Sequence, residues 1–355
     1  MSAINSQPTF KYICANDMRA ENPLNIRLGQ MWKAVEEESN GILHVELMPW
    51  GSAGASKISL GKLLNNEIAF HPVSGMPLST RIPIAAMEGL PFAFRDEAEA
   101  FRVLDGEFGN LLRKEISSLG LFVFPLIWHQ GFNQMSTSVG PIRHADDLAG
   151  FKLRIAQVPY KIDLFKALGC DPQPIHYQGV LDGLKSGQAT GQETPYLYTE
   201  MDGFADVQTH LSITNHRFAA FWMCAHPDSW NALPADIQAI VQRNMTQYAM
   251  LFREDMLREN IAADIGGGGC AASGGTNCTY ASRVTELERT LADAGLDLPD
   301  PRGYPQLNSA GEPTGSRDDE QYARALYARL TSLEALLLSP TEGQLAAAFP
   351  LLDVQ

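Results

Sequence analysis

Apolar residues recur along this chain at two spacings, and each change of spacing marks the end of an element. Leu24, Leu28, Met31, Trp32 and Val35 keep the three-or-four-residue interval of one helical face, with Asn22 placed to cap that helix and Pro23 at its first position. Asn40 and Gly41 stop it, and Leu43, Val45 and Leu47 then alternate with polar neighbours as a strand. Thr9–Cys14 reads as a strand ahead of this helix. Ile58–Ile68 reads as a second helix and Phe70–Val73 as the strand after it. Asp96 and Glu99 have the spacing of a capping box, which predicts one helix running to Gly120, followed by a buried strand over Leu121–Trp128. Strands alternating with helices build a mostly parallel sheet, which places the chain in the α/β class.

The alternation resumes after Met135–Pro141. Phe151–Ile155 is strand-like behind Gly150, Tyr160–Leu168 is helical, and Val180–Gly187 is followed by a strand-like Val207–Ile213 and a crossing segment over Arg217–Ala225. Beyond Pro234 no proline or glycine interrupts the chain until after Ile265, and Ile237, Val241, Met245, Tyr248 and Phe252 recur at helical spacing. One helix over Pro234–Ile265 would span about 48 Å at about 1.5 Å per residue. The next stretch, GGGGCAASGGTNC, is of low complexity, and Pro299–Ser316 is rich in turn residues. Arg283–Ala294 and Asp319–Leu338 read as helices, the latter with a Tyr322, Leu326, Leu330, Leu333, Leu337 stripe.

A length of 355 residues, 45% apolar and 19% charged, fits an ordinary globular chain of two domains. The net charge of −14 disfavours nucleic acid as a partner and requires that an anionic ligand be met by a local positive site. No apolar run is long enough to span a bilayer, so no direct membrane insertion is expected. Met1–Pro8 is polar and lacks the apolar stretch of a secretory signal, which by itself points to the cytoplasm. Among the five cysteines, Cys270 and Cys278 could bridge in an oxidising compartment or remain thiols. There is no His-x-x-x-His pair, P-loop, Gly-x-Ser-x-Gly elbow or Gly-x-Gly-x-x-Gly fingerprint, and Gly266–Gly269 follows a helix rather than a strand. No cofactor and no metal are expected.

One residue stands out for ligand chemistry. Arg154 lies one residue before the end of its predicted strand, where α/β folds place their ligands. A guanidinium offers a planar fork that matches a carboxylate with two donors and keeps its charge at any working pH. The alternative is a solvated arginine on an edge strand.

Seven segments in order carry a resemblance. They are VEEESNG (Val35–Gly41), LPFAFRDEAEAFRVLDGEFG (Leu90–Gly109), DLAGFKLRI (Asp147–Ile155), FKALGCDPQPI (Phe165–Ile175), LKSGQATGQETP (Leu184–Pro195), SITNH (Ser212–His216) and WNALPADIQAIV (Trp230–Val241). From about Phe10 to about Glu259 the chain resembles the DctP-type solute-binding proteins of TRAP transporters, periplasmic receptors that hand organic anions to a membrane carrier. The resemblance implies a two-lobed, clam-shell, periplasmic-binding-protein-like α/β fold with a long bracing helix, ligand in the cleft, and Arg154 on its carboxylate. Lobe I would comprise 8–134 plus 218–260, and lobe II 135–217 plus 261–355, with crossings near Met135 and Ile213–Arg217. Residues 10–130 and 140–215 are then not expected to share one continuous sheet. It also implies a periplasmic location after removal of a signal, TRAP permease subunits as membrane partners, and no catalysis. From 266 on the pattern departs from the family's, and the tail could be a divergent closure of lobe II, an oligomerisation element, or partly disordered.

Where many relatives read Gly-Phe-Arg, this chain reads Gly131-Phe-Asn-Gln134, so Phe132 and Asn133 stand at a position that lacks its second cation. That favours a monocarboxylate as ligand. Asn133 could bond a hydroxyl or keto oxygen, or cap a turn. GQETP aligns with the family's Gly-Gln-Glu-Asn, which puts Thr194 in place of a ligand-contacting carboxamide and Glu193 in a structural or metal-bridging role. A hard cation needs several oxygens, and Phe218-Ala-Ala-Phe-Trp222 supplies no second acid. Trp222 and Tyr177 are candidate walls, and Ser74 lies at a strand end. Phe218, Phe221, Tyr160 and Tyr196 could serve the pocket or the core. The competing reading is an α/β enzyme acting on carboxylic acids, from which saturable binding without conversion would separate a receptor.

Overall fold

The structure, a computed structural model, describes residues 9–54 and 56–269. Cys270, Cys278 and the helices expected at 283–294 and 319–338 lie outside the described residues. The chain divides into two compact units. The first joins the chain through Gly89 to Arg95–Gln130 and Ala219–Asp255, and the second comprises Leu90–Phe94, Gly131–Phe218 and the described residues from Met256.

The elements run β1 (Phe10–Ala15), α1 (Pro23–Glu38), β2 (Leu43–Met48), α2 (Ser56–Leu64), β3 (Phe70–Ser74) and α3 (Gly75–Ser79). Next come α4 (Glu97–Asp105), α5 (Glu107–Ser117), β4 (Phe122–Thr137), β5 (Lys152–Ile155), α6 (Pro159–Ala167) and β6 (Asp171–Pro174). The series ends with α7 (Val180–Lys185), β7 (Gly191–Pro195), α8 (Tyr196–Met201), β8 (His210–Ala225), α9 (Pro227–Asn231) and α10 (Ala235–Gly269).

The α1 helix forms as its pattern requires. The Asn22 side chain accepts from Leu24 N at 2.9 Å, and Leu24, Leu28, Met31, Trp32 and Val35 are all buried. Asn40 and Gly41 end it with φ of 52° and 76°. The single helix expected from Asp96 to Gly120 is instead two. Asp96 does cap the first, accepting from Glu99 N at 2.7 Å, but Gly106 adopts an extended ψ of −154° and breaks the run. Gly109 then comes so close to the preceding helix that a Cβ there would lie 1.7 Å from Leu104 O.

Eight strands are hydrogen-bonded in the order β2-β1-β3-β8-β4-β7-β5-β6. This corrects the expectation that residues 10–130 and 140–215 hold separate sheets. The reason is the length of β4 and β8, 16 residues each against the seven or eight expected, so that each strand contributes residues to both units. Burial on both faces explains why their lengths were hidden, since a doubly covered strand loses its alternation. At one edge, β6 reads Asp-Pro-Gln-Pro, a composition that only an edge strand tolerates.

The α10 helix extends 35 residues, about 52 Å at about 1.5 Å per residue. Ile237, Val241, Met245 and Phe252 are buried as the spacing predicts, whereas Tyr248 is half-buried and Ala249 takes its place in the stripe. No helix among the described residues is long and apolar enough to cross a membrane.

Candidate functional site

The second unit gathers most of its buried charge around the ends of β4, β5, β7 and β8. On β5, Arg154 pairs in register with Gln192 of β7 and Gln173 of β6 and is only 5% exposed. Its Nε and Nη2 both donate to the backbone carbonyl of Ile175, at 3.0 and 2.8 Å. The ring of Tyr177 lies 5.7 Å from its Cζ. Among the described residues no acceptor engages Nη1 and no carboxylate lies within salt-bridge reach. Burial draws the guanidinium pKa down, and Glu193 and Tyr177 oppose that shift. The Nη1–Nη2 edge therefore keeps a two-donor face for an anion while the Nε side is anchored.

Across β4 and β7 the register is antiparallel, with Met135 opposite Glu193 and Asn133 opposite Pro195. Asn133 and Glu193 thus share a sheet face as diagonal neighbours, and the Asn133 Nδ2 donates to Glu193 Oε2. Lys161 of α6, 1% exposed, donates to Glu193 Oε1. His216 Nε2 stands 3.6 Å from Glu193, an electrostatic contact beyond hydrogen-bond range. Burial works against ionising Glu193, but Lys161, His216 and Arg217 outweigh it and hold the carboxyl well below the usual range. Burial lowers Lys161, and Glu193 opposes; it also lowers His216, which favours the neutral ring. The Asn133 Oδ1 is buried with no partner among the described residues.

The remaining expected residues fall in several places. Thr194 is buried opposite Gln134, on the face of β7 away from Glu193. Phe132 packs edge-on against Phe218 at 5.3 Å, and Phe218 against Phe94 at 5.7 Å. The Tyr177 hydroxyl donates to Asp202 and is raised well above its ordinary pKa by burial. Trp222 and Ser74 belong to the first unit, where they occupy adjoining strands. There the Trp222 indole donates to Glu88, which also accepts from Gly75 N at 2.8 Å, and Arg113 lies 5.7 Å from its ring. With 1% exposure Trp222 is held by packing in that unit.

Three residues of the cluster escaped the sequence reading: Lys161, His216 and Arg217. Lys161 lies inside the predicted Tyr160–Leu168 helix, where nothing in the neighbouring sequence marks it. His216 closes the SITNH segment, and that position was the only signal. Arg217, next on β8, is 5% exposed, and its Nε has no partner. Among the described residues no three His, Cys, Asp or Glu side chains gather to hold a metal. Around Glu193 the partners are donors and cations, the opposite of what a hard cation takes.

Comparison with known proteins agrees with this architecture. The family described as Bacterial extracellular solute-binding protein, family 7 (DctP) matches residues 15–263. The 2,3-diketo-L-gulonate-binding periplasmic protein YiaO of Escherichia coli is 26% identical over 204 residues, 58% of this chain and 62% of the relative. The C4-dicarboxylate-binding protein DctB of Bacillus subtilis is 26% identical over 262 residues, 73% of this chain and 74% of the relative. A TRAP periplasmic solute-binding protein from Haemophilus influenzae, solved with bound L-gulonate, shares the fold with a TM-score of 0.71 at 19% identity, covering 91% of this chain and 99% of that one.

Proposed function

This chain belongs to the bacterial extracellular solute-binding proteins of family 7, and from that premise we propose that it captures a small organic acid anion by its carboxylate on the Nη1–Nη2 edge of Arg154. The family consists of transporter receptors, not enzymes, so the reading as an enzyme acting on carboxylic acids is set aside. One observation carries the proposal: Arg154 is a buried guanidinium anchored only by a neutral carbonyl, with a free donor pair. Buried charges are ordinarily paired, and an anionic ligand is the partner such a site lacks.

Around it, Tyr177 sets one side of the guanidinium, and Glu193, fixed by Lys161 and Asn133, adds a fixed negative charge to its surroundings. The Asn133 Oδ1 offers an acceptor for a ligand hydroxyl, and Thr194 a short donor. Phe132 supports through packing, and the proposal gives Trp222 and Ser74 no direct polar contact with the carboxylate. Periplasmic residence and delivery to TRAP permease subunits are part of the same reading. The preference for a monocarboxylate rested on the missing second guanidinium at Asn133. Arg217, buried in the same unit, removes that ground.

Thermal-shift screening against mono- and dicarboxylates, sugar acids and aromatic acids tests the reading. A ligand at a hundred times its dissociation constant should stabilise by about 2.7 kcal/mol. Absence of any stabilising acid across those classes would count against it.

A further inference from the structure

The carbonyl and the ring that meet Arg154 come from one short segment. Ile175 supplies the oxygen that takes Nε and Nη2, and Tyr177, two residues on, supplies the ring beside Cζ. That segment leaves β6, an edge strand whose Pro172 and Pro174 carry no N–H for the ladder. Ile175 N donates to Ile155 O at 3.1 Å, and His176 beyond it is exposed. A side-chain tether then holds the far end. The Tyr177 hydroxyl donates to Asp202, and the Tyr177 ring lies edge-on to Phe204 at 6.3 Å. Asp202 is a firm anchor. It is buried, its N–H donates to Tyr198 O at 3.1 Å, and it ends α8, which starts directly after the inner strand β7. An acid at the C-terminal end of a helix gains nothing from the helix dipole, so α8 by itself gives no reason for a carboxylate there. Burial raises Tyr177 well above its ordinary pKa, so the phenol keeps the proton that it donates.

We propose that Asp202 is a positioning residue for anion capture: through the Tyr177 hydroxyl it fixes the Ile175–Tyr177 segment, and so keeps the Nη1–Nη2 edge of Arg154 aimed at an incoming carboxylate. This rests on the receptor reading above and deepens it. The guanidinium is anchored on one carbonyl, so its direction is only as fixed as that carbonyl. A two-donor contact tolerates little misalignment and depends on the hydrogen bonds that lock its supports. Releasing the tyrosine hydroxyl loosens the segment that carries the carbonyl, and the arginine moves with it. Asp202 does this without touching the ligand.

Hydrogen exchange at the arginine Nε–H groups, read by NMR, tests the tether without any ligand. The Arg154 signal is identified by its loss in Arg154→Lys. Arg253, whose Nε donates to Ile127 O in the first unit, is the internal control. Asp202→Ala and Tyr177→Phe should each speed exchange at Arg154 by about tenfold or more, the double variant no further than either, with Arg253 changed less than about twofold. Asp202→Asn, which keeps an acceptor for the hydroxyl, should stay within about threefold of wild type. Titration calorimetry with succinate, L-gulonate and D-galacturonate then reads the consequence. Asp202→Ala and Tyr177→Phe should weaken whichever of these acids wild type binds by about tenfold, and Asp202→Asn by less than about threefold. Unchanged exchange at Arg154 in both variants would overturn the proposal. So would equal acceleration at Arg154 and Arg253, which is what general destabilisation gives, failure of both variants to fold, or faster exchange with undiminished binding. Loss of the receptor reading shows separately, as Arg154→Ala binding these acids like wild type or wild type binding none. The exchange result then still decides whether Asp202 holds Arg154.

Discussion

Arg253 in the first unit and Arg154 in the second are buried to nearly the same degree, 3% and 5% exposed, and their surroundings differ completely. Arg253, on α10, donates to both oxygens of Asp105 at 2.7 and 2.8 Å and twice to the carbonyl of Ile127, at 3.2 and 2.7 Å. Its charge is matched and its fork is filled. Arg154 has a single carbonyl as its hydrogen-bond partner among the described residues. Burial alone therefore does not separate the two arginines; completeness of partnering does, and on the proposed reading that difference marks Arg154 as the one that meets the ligand. A filled fork ties α10 to α4 and β4. An empty one keeps its donors for something that arrives later.

The contrast breaks most visibly under truncation. Arg253→Ala leaves Asp105 buried and unpaired, which should lower stability by roughly 3–5 kcal/mol, read as a shifted denaturation midpoint at unchanged slope. Arg154→Ala should do the reverse. Its unliganded midpoint should stay near wild type, while affinity for the identified acid drops by the few hundred- to few thousand-fold that roughly 3–5 kcal/mol represents. Binding within about tenfold of wild type, a loss of about 1.4 kcal/mol, would remove Arg154 from the site. Arg154→Lys should fail nearly as badly, since the ammonium loses the two-donor face that separates the two arginines' roles.

Proton titration sharpens the same comparison, because the arginine contacts are insensitive to it. Burial lowers His71 to about 4 and His129 to about 3 in the first unit, and lowers His216 in the second. A folded-state pKa below the unfolded value means that the unfolded chain binds the proton first. Their contribution to stability is thus intact above the unfolded value of about 6.5 and is lost as pH falls toward the folded ones. The histidine share of unliganded stability should decline between about pH 6.5 and 4, by up to about 1.4 kcal/mol per pH unit for each histidine. His129→Phe should reduce that slope by one histidine's share; a slope unaltered by it would mean the ring titrates normally. Glu193, held low by its cationic partners, loses its contribution only in more acid solution, below the ordinary carboxylate range. The smallest effect belongs to Asn133→Ala, where Glu193 keeps Lys161 as partner. Affinity should fall by less than about tenfold, near the 1 kcal/mol of an ordinary hydrogen bond.

What could be read in advance was whatever local periodicity encodes. The stripe of α1 with its Asn22 cap, the alternation of β2 and the uninterrupted run of α10 all form where hydrophobic spacing puts them, because each buries one face and solvates the other. Arg154 was legible as the arginine near the end of a short strand. The lengths of β4 and β8 were not, since strands covered on both faces show no alternation, and neither was the break at Gly106, where an extended backbone interrupts a pattern that would continue as helix. The charge cluster was the least accessible. Lys161 and Glu193 are 32 positions apart, and Asn133 and Glu193 are 60; only the pairing of β4 with β7 and the packing of α6 bring them together. Sequence decided which residues could bind an anion. Tertiary structure decided which of them would be left with unfilled donors, because hydrogen-bond satisfaction depends on neighbours that the chain supplies from a distance.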